Sequence, residues 1–307
     1  MKKLTKVSFE RAKKWIEENG RPLEKTLIKF HFSEGASQEV IDTLKTFQNP
    51  DGGFGNAMEP DLRTPKSSIL GTSIALQVLR SLNLKELGSD IVESAIIFIL
   101  NNYNVEKMSW RIIPPEAENS PHAPWWNQVD REDNFVGFHL NPTAEILGYL
   151  YNNKHLVPRK LIGILSLKVL TELKSSKEIE MHDFLCCKRL LESKNLDSSF
   201  HQNLILELDR LVDSCVVKDS SKWGGYGLRP LQVVSSPDSP FFGKLQKPVE
   251  ENLDYEIDIQ DASGAWSPTW SWGDSFLNEW EKAKNEWTGI ITLEKLVLLN
   301  KFGRVEG

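Results

Sequence analysis

Tyr255-Glu-Ile-Asp-Ile-Gln260-Asp-Ala-Ser-Gly264-Ala-Trp266-Ser-Pro268-Thr-Trp270-Ser-Trp272-Gly273-Asp274 joins the end of a helix to a glutamine, a Gly-x-Trp step, a proline and a further Trp pair. An earlier stretch, Val40-Ile41-Asp-Thr-Leu44-Lys-Thr-Phe47-Gln48-Asn-Pro50-Asp-Gly52-Gly53-Phe54-Gly55, repeats the order: helix, Gln, Gly-x-aromatic. A glutamine amide at a helix end can bond orphaned backbone groups and bridge to the next hairpin. The glycines permit positive φ and close approach, and the aromatic fills the gap between neighbouring hairpins. These residues read as scaffold.

Helical periodicity dominates the rest of the chain, with no convincing alternation of the strand type. A first helix spans about Ser8 to Glu18 and ends at Gly20, and a second follows Pro22, which suits a first helical turn. Ser37 is placed as the N-cap of a helix carrying Val40, Ile41, Leu44 and Phe47. Ser67 to Leu82 follows, and then a helix capped by Ser89 and so apolar from Ala95 to Leu100 that protein must nearly surround it. Residues 104 to 140 form a long irregular segment with an acidic patch at Asp130 to Asp133; its prolines and tryptophans argue against simple disorder. Further helices are expected at Pro142–Tyr151, Arg159–Leu173, Ile179–Leu191, Asp197–Val217, Val249–Ile259, Phe276–Asn285 and Leu293–Leu299. Lys222-Trp223-Gly224-Gly225-Tyr226-Gly227 is another joint, followed by a Pro- and Ser-rich stretch from Arg229 to Phe242. The sum is about twelve helices in about six hairpins, with nothing in composition dividing the chain, so a single all-α domain over residues 1–307 is expected.

The bulk properties narrow the classes. In 307 residues the hydrophobic content is 40% and the charged content 26%, as in a soluble globular protein. A net charge of −6 supplies no basic surplus for nucleic acid. No apolar run approaches the ~20 residues of a membrane span. The three cysteines make no disulfide framework, and no apolar stretch follows the basic start, so a cytoplasmic chain is expected. The expected partner is a small-molecule substrate or ligand, and no cofactor is called for.

The two joints resemble the QW motif of terpenoid cyclases and the repeats of protein prenyltransferase β subunits, in which a helix ends in Gln before a short spacer and Gly-x-Trp. Gln260…Gly264-Ala265-Trp266 fits closely, and Gln48…Gly52-Gly53-Phe54 fits with Phe for Trp. Trp223 to Gly227 and Tyr103 to Trp110 look like degenerate copies. The resemblance implies an α/α toroid of helical hairpins closed into a ring. Ser67–Leu82, Pro142–Tyr151, Ile179–Leu191 and Leu293–Leu299 would then be inner, and Ser37–Phe47, Ser89–Leu100, Arg159–Leu173, Asp197–Val217 and Val249–Ile259 outer. The family's catalytic strings are missing: no Asp-x-Asp-Asp occurs, Asp258-Ile-Gln-Asp261 being the nearest, and no Asp-Asp-x-x-Asp. A prenyltransferase-type zinc would look to His182, Asp183, Cys186 and Cys187; the ligand set is incomplete, and no metal site is assigned.

Residues with chemistry to offer lie elsewhere. Glu59-Pro60-Asp61-Leu62-Arg63 places two carboxylates beside a guanidinium on a loop stiffened by Pro60 and Pro65, which suits acid–base work. His139-Leu140-Asn141-Pro142-Thr143-Ala-Glu145 opens an expected inner helix, with Asn141 as N-cap and Pro142 at N1. Glu59, Asp61, Arg63, His139 and Asp183 are the catalytic candidates. Trp125, Trp126, Glu145, His182, Trp270 and Trp272 are the substrate-binding candidates, since aromatic faces stabilise a cation or stack on a sugar. Three readings stay open: a cyclase- or prenyltransferase-like protein handling an apolar, isoprenoid-type substrate; a carbohydrate-active (α/α)6 barrel using paired carboxylates; and a non-catalytic binding protein on the same scaffold.

Overall fold

A computed structural model describes residues 1–82, 89–129 and 139–307; the acidic patch at Asp130 to Asp133 and the side chain of Ser89 lie outside them. Among the described residues the regular structure is helical, with isolated β-bridges but no strand. The chain begins with α1 (Lys6–Asn19), α2 (Pro22–Phe32) and α3 (Ser37–Lys45). It continues with α4 (Ile69–Ser81), α5 (Ser89–Asn101), α6 (Thr143–Asn152), α7 (Arg159–Ser175), α8 (Met181–Leu191) and α9 (Ser198–Cys215). It ends with α10 (Pro230–Val233), α11 (Phe242–Asp258) and α12 (Leu277–Lys301). Two compact units result: Met1–Thr46 with Val217–Gly307, and Phe47–Val216.

In the first unit α12 packs on α1 and α2, and α2 packs on α1 and α3. Arg21 grips Glu24 through two bonds of 2.8 Å in the first turn of α2, where a carboxylate also favours the helix dipole. The two chain ends pair: Leu4 N–H donates to Arg304 O at 2.8 Å and Glu306 N–H to Leu4 O at 2.9 Å. Buried Arg304 donates to Lys2 O and reaches Asp254 at 2.8 Å. The expected separation of Phe276–Asn285 from Leu293–Leu299 is absent, and α12 runs unbroken for 25 residues through Trp287-Thr-Gly. Gly289 looks like a breaker in sequence, but it is a contact point, where an added Cβ would meet Gly20 Cα at 3.5 Å. Helix α11 likewise starts at Phe242 instead of Val249 and carries Pro248 within it, and α10 is a helical turn hidden in the Pro- and Ser-rich stretch.

The second unit is two layers deep. Helices α4, α6 and α8 pack in succession, and α5, α7 and α9 back them, each against its preceding partner, with α7 also on α9. Every residue of α6 from Thr143 to Tyr151 is buried, as befits a helix enclosed by α4, α7 and α8. Helix α5 is less enclosed than its apolar run implies, for Ile97 is 48% exposed. Two capping expectations also fail. Ala36, not Ser37, is the N-cap of α3, and α6 begins at Thr143 after Pro142 with no side-chain cap. The Asn141 side-chain oxygen faces the Cys186 thiol at 3.5 Å, while the Asn141 backbone N–H donates to Asp183, so this turn is held from α8.

The two Gln joints, one in each unit, are superimposable as hydrogen-bond diagrams. Gln48 Nε2 donates to Gly52 O at 3.0 Å and to Ile91 O, in the third residue of α5, at 3.3 Å. Gln260 Nε2 donates to Gly264 O at 2.8 Å and to Ser8 O, in the third residue of α1, at 3.3 Å. Gly52 (φ +88°) and Gly264 (φ +92°) lie against the same turn of those helices; an added Cβ would come 2.3 Å from Ser94 O or 2.8 Å from Ala12 N. The aromatic backbone N–H then donates to a threonine of the following helix: Phe54 to Thr72 Oγ1 at 3.1 Å, Trp266 to Thr292 Oγ1 at 3.0 Å. The Trp266 indole also satisfies Glu256 O, a helix-end carbonyl with no partner of its own in the helix, at 2.8 Å. The Trp110 indole likewise donates to Ile99 O near the end of α5 at 2.7 Å, a carbonyl that also accepts from Asn102 N–H at 3.2 Å.

Gly52→Ala and Gly264→Ala are each expected to lower unfolding stability by about 2 kcal/mol or more, since strained φ and backbone overlap act together. Gly243→Ala, at an exposed helical position with open space around its Cβ, raises stability by up to ~1 kcal/mol. Urea midpoints read both, and equal effects at the three sites would contradict the assignment.

Candidate functional site

The apolar layer of α4, α6 and α8 carries a polar seam. Glu145 on α6 is 4% exposed, and both of its oxygens are occupied. Its Oε1 accepts from Tyr149 OH at 2.5 Å and from Gln77 Nε2 on α4 at 2.7 Å. Its Oε2 accepts from Arg189 Nη1 on α8 at 2.9 Å, with the Cys186 thiol at 3.8 Å. A buried carboxylate with this many donors is a satisfied network and not a free base. Burial, reinforced by Glu145, pushes the Tyr149 phenol and the Cys186 thiol up, so both keep their protons and remain donors. Burial opposes the charge on Arg189, but Glu145 outweighs it and holds that proton more firmly.

Cations gather at the far end of the seam. Arg80 on α4 donates to Arg189 O at 2.8 Å and pairs with Glu192 at 3.3 Å, while Lys188 pairs with Glu192 at 2.7 Å. Arg80, Lys188 and Arg189 keep 22%, 12% and 29% of their side chains exposed. Three fixed cations face two carboxylates, Glu145 and Glu192. Burial lowers the Lys188 ammonium, aided by Arg189 and Arg80 and opposed by Glu192.

At the near end, Asp183 acts on backbone. Its Oδ2 accepts from His139 N–H at 3.0 Å, and its Oδ1 from the amides of Leu140 and Asn141 at 3.0 and 2.7 Å. It therefore fixes the turn that launches α6. The His139 side chain is exposed. His182 sits in the first turn of α8, where Glu180 caps its amide at 2.6 Å; burial is the main cause that lowers its pKa, against the pull of Glu180. Burial likewise pushes the Cys187 thiol up.

Glu59, Asp61 and Arg63 form a second locus in the same unit. Their loop pairs with the 120–123 segment: Arg63 N–H donates to Pro121 O at 3.1 Å, and Ala123 N–H to Asp61 O at 2.8 Å. Glu59 and Asp61 are 7% and 3% exposed. His122 beside them is also buried, with Nδ1 2.6 Å from Ser120 O and Nε2 3.8 Å from Glu118. Trp126 packs on a small core of Leu62, Ile112, Ile113 and Ala117, whereas Trp125 is 37% exposed. Trp270 and Trp272 belong to the first unit and pack against α12. Trp272 is buried beside Trp280, and Trp270 meets Trp287 edge-on at 5.2 Å.

The structure thus joins Glu145 to Asp183 and His182 through α8 and sets Glu59, Asp61 and Arg63 in a separate loop. Gln77, Arg80, Tyr149, Lys188 and Arg189 are seam members that the sequence reading passed over. Their signal was polar side chains recurring at three- and four-residue spacing on otherwise apolar helices. A second buried cluster also went unread: Glu256, fully enclosed in α11, accepts from Lys295 at 2.7 Å and Arg229 at 3.0 Å. No protein-family model, curated protein or solved structure matches this chain.

A double-mutant cycle between Glu145→Gln and Tyr149→Phe should return a coupling of about 1–3 kcal/mol, as for neighbours in one buried network. A coupling near zero removes the seam. The depressed His182 pKa favours the folded state while the ring is neutral, so its contribution is complete above the unfolded value of ~6.5 and is lost as pH falls towards the folded pKa. Urea midpoints measured in that acidic window should fall less steeply in His182→Gln than in the parent.

Proposed function

We propose that this is an α/α-toroid protein of the cyclase and prenyltransferase type, and that it binds an isoprenoid-type molecule bearing an anionic head. Its partly exposed cations on α4 and α8 would take that head. The observation that carries the reading is the division of labour in the seam. Glu145 is saturated by internal donors, whereas Arg80, Lys188 and Arg189 outnumber Glu145 and the half-exposed Glu192 and keep part of their side chains exposed. Guanidinium and ammonium groups of this kind hold carboxylate or phosphate oxygens through short, charge-assisted bonds. Ring closure is supported by the pairing of the chain ends and by the second joint, in which α1 takes beside α12 the place that α5 takes beside α4. On this reading binding, not acid–base turnover by Glu145 or Asp183, is the role of this face.

A second reading, a carboxylate-pair enzyme acting on glycans, draws on Glu59 and Asp61, both buried in a loop braced against His122. Calorimetric titration with farnesyl diphosphate, inorganic pyrophosphate, farnesol and a glycan panel separates the two. The proposal expects the diphosphates to bind, farnesol to bind more weakly, and Arg80→Gln with Lys188→Gln to cost about tenfold or more in affinity. Farnesol binding as well as its diphosphate contradicts it. Glycan turnover abolished by Glu59→Gln transfers the assignment to the loop.

A further inference from the structure

A cleft of about 780 Å³ opens where the end of α6 meets the starts of α7 and α9. Small-molecule pockets typically fall between ~300 and 1,000 Å³. The floor is aromatic: Tyr151 and Phe200 are buried and stacked, with centroids 5.6 Å apart and planes at 23°. The Tyr151 hydroxyl is fixed by Ser166 Oγ at 2.8 Å. One wall is apolar and open, since Leu167 of α7 lines the cleft while 70% exposed.

The rim is basic. Lys154 Nζ stands 4.7 Å from the Tyr151 ring centroid and pairs with Asp197 at 3.0 Å. Arg159, exposed at the start of α7, has no carboxylate partner among the described residues. Asp197 turns to Lys154 and does not cap α9, and α7 too begins without a side-chain cap. The uncapped start of α7 therefore adds positive potential at this end, whereas the Asp197 carboxylate offsets that of α9.

Gly163 supplies an independent observation. It occupies an interior position of α7, where glycine costs roughly 0.5–1 kcal/mol relative to alanine. An added Cβ would meet nothing within 4 Å, in contrast to Gly148 of α6, where it would come 2.4 Å from Ser193 Oγ. No packing demand explains Gly163, and a side chain there would project into the cleft it lines.

We infer that this cleft binds a small amphipathic anion, with a flat apolar body on the Tyr151–Phe200 floor and a sulfonate, carboxylate or phosphate group held by Arg159 and Lys154. The probe is 1-anilinonaphthalene-8-sulfonate, with N-phenyl-1-naphthylamine as its neutral counterpart, titrated by fluorescence against the full chain. Saturable one-to-one binding is expected. It should weaken about tenfold or more in Gly163→Leu and in Arg159→Glu and persist in Gly163→Ser. Because leucine favours a helix over glycine, Gly163→Leu should melt no lower than the parent, which separates blocked binding from misfolding. The neutral probe should bind about tenfold more weakly. Absence of saturable binding, binding unchanged in Gly163→Leu, or equal affinity for the two probes would overturn the inference.

Discussion

A glutamine side-chain amide that bonds two carbonyls at once is the constraint from which the rest of this structure follows. One acceptor lies in its own loop and closes the turn; the other lies in the first turn of a neighbouring helix and sets where that helix stands. The glycine between them cannot be replaced without overlap, because the neighbour's backbone already occupies the space of a Cβ. The aromatic then ties the loop to the next helix through a threonine hydroxyl. Each joint thus ties its loop to two helices of its own unit with a handful of backbone-directed bonds, which favours one packing of the amphipathic hairpins there over several.

Ordered hairpins make the polar seam possible. A helix as enclosed as α6 can carry Glu145 only if every oxygen meets a donor, and those donors come from α4, α6 itself and α8. Satisfying the acid converts it from a reagent into a strut, and three cations, Arg80, Lys188 and Arg189, are left around the single exposed carboxylate of Glu192. Asp183 illustrates the same conversion: three backbone amides use its two oxygens, so its work is to shape the turn ahead of α6.

How far the sequence foretold this depends on the range of the interaction concerned. The joints were legible because Gln, Gly and aromatic fall within a few residues of each other, and the helices were legible because burial imposes a period. The helix bounds expected at Val249, Asn285 and Leu293 fail because Pro248 and Gly289, breakers by propensity, are overruled where close approach or tertiary packing favours continuation. Glu145 stood out as a polar residue in an apolar helix, but its partners Gln77 and Arg189 lie 68 and 44 positions away in the chain, and no local spacing connects them. The Asn-Pro pattern points to capping by Asn141, whereas its side-chain oxygen faces the distant Cys186 thiol and its backbone N–H is held by Asp183. The loop tryptophans looked alike in sequence, and only tertiary packing distinguishes buried Trp272 from half-exposed Trp270.

The most direct measurement is hydrogen exchange at the Phe54 and Trp266 amides, the two backbone donors that lock each joint to a threonine. If the joints hold the hairpins in register, both amides should exchange only through global unfolding and share the slowest class in the protein, despite lying in loops. Exchange of either amide at the rate of the exposed loops would contradict the account.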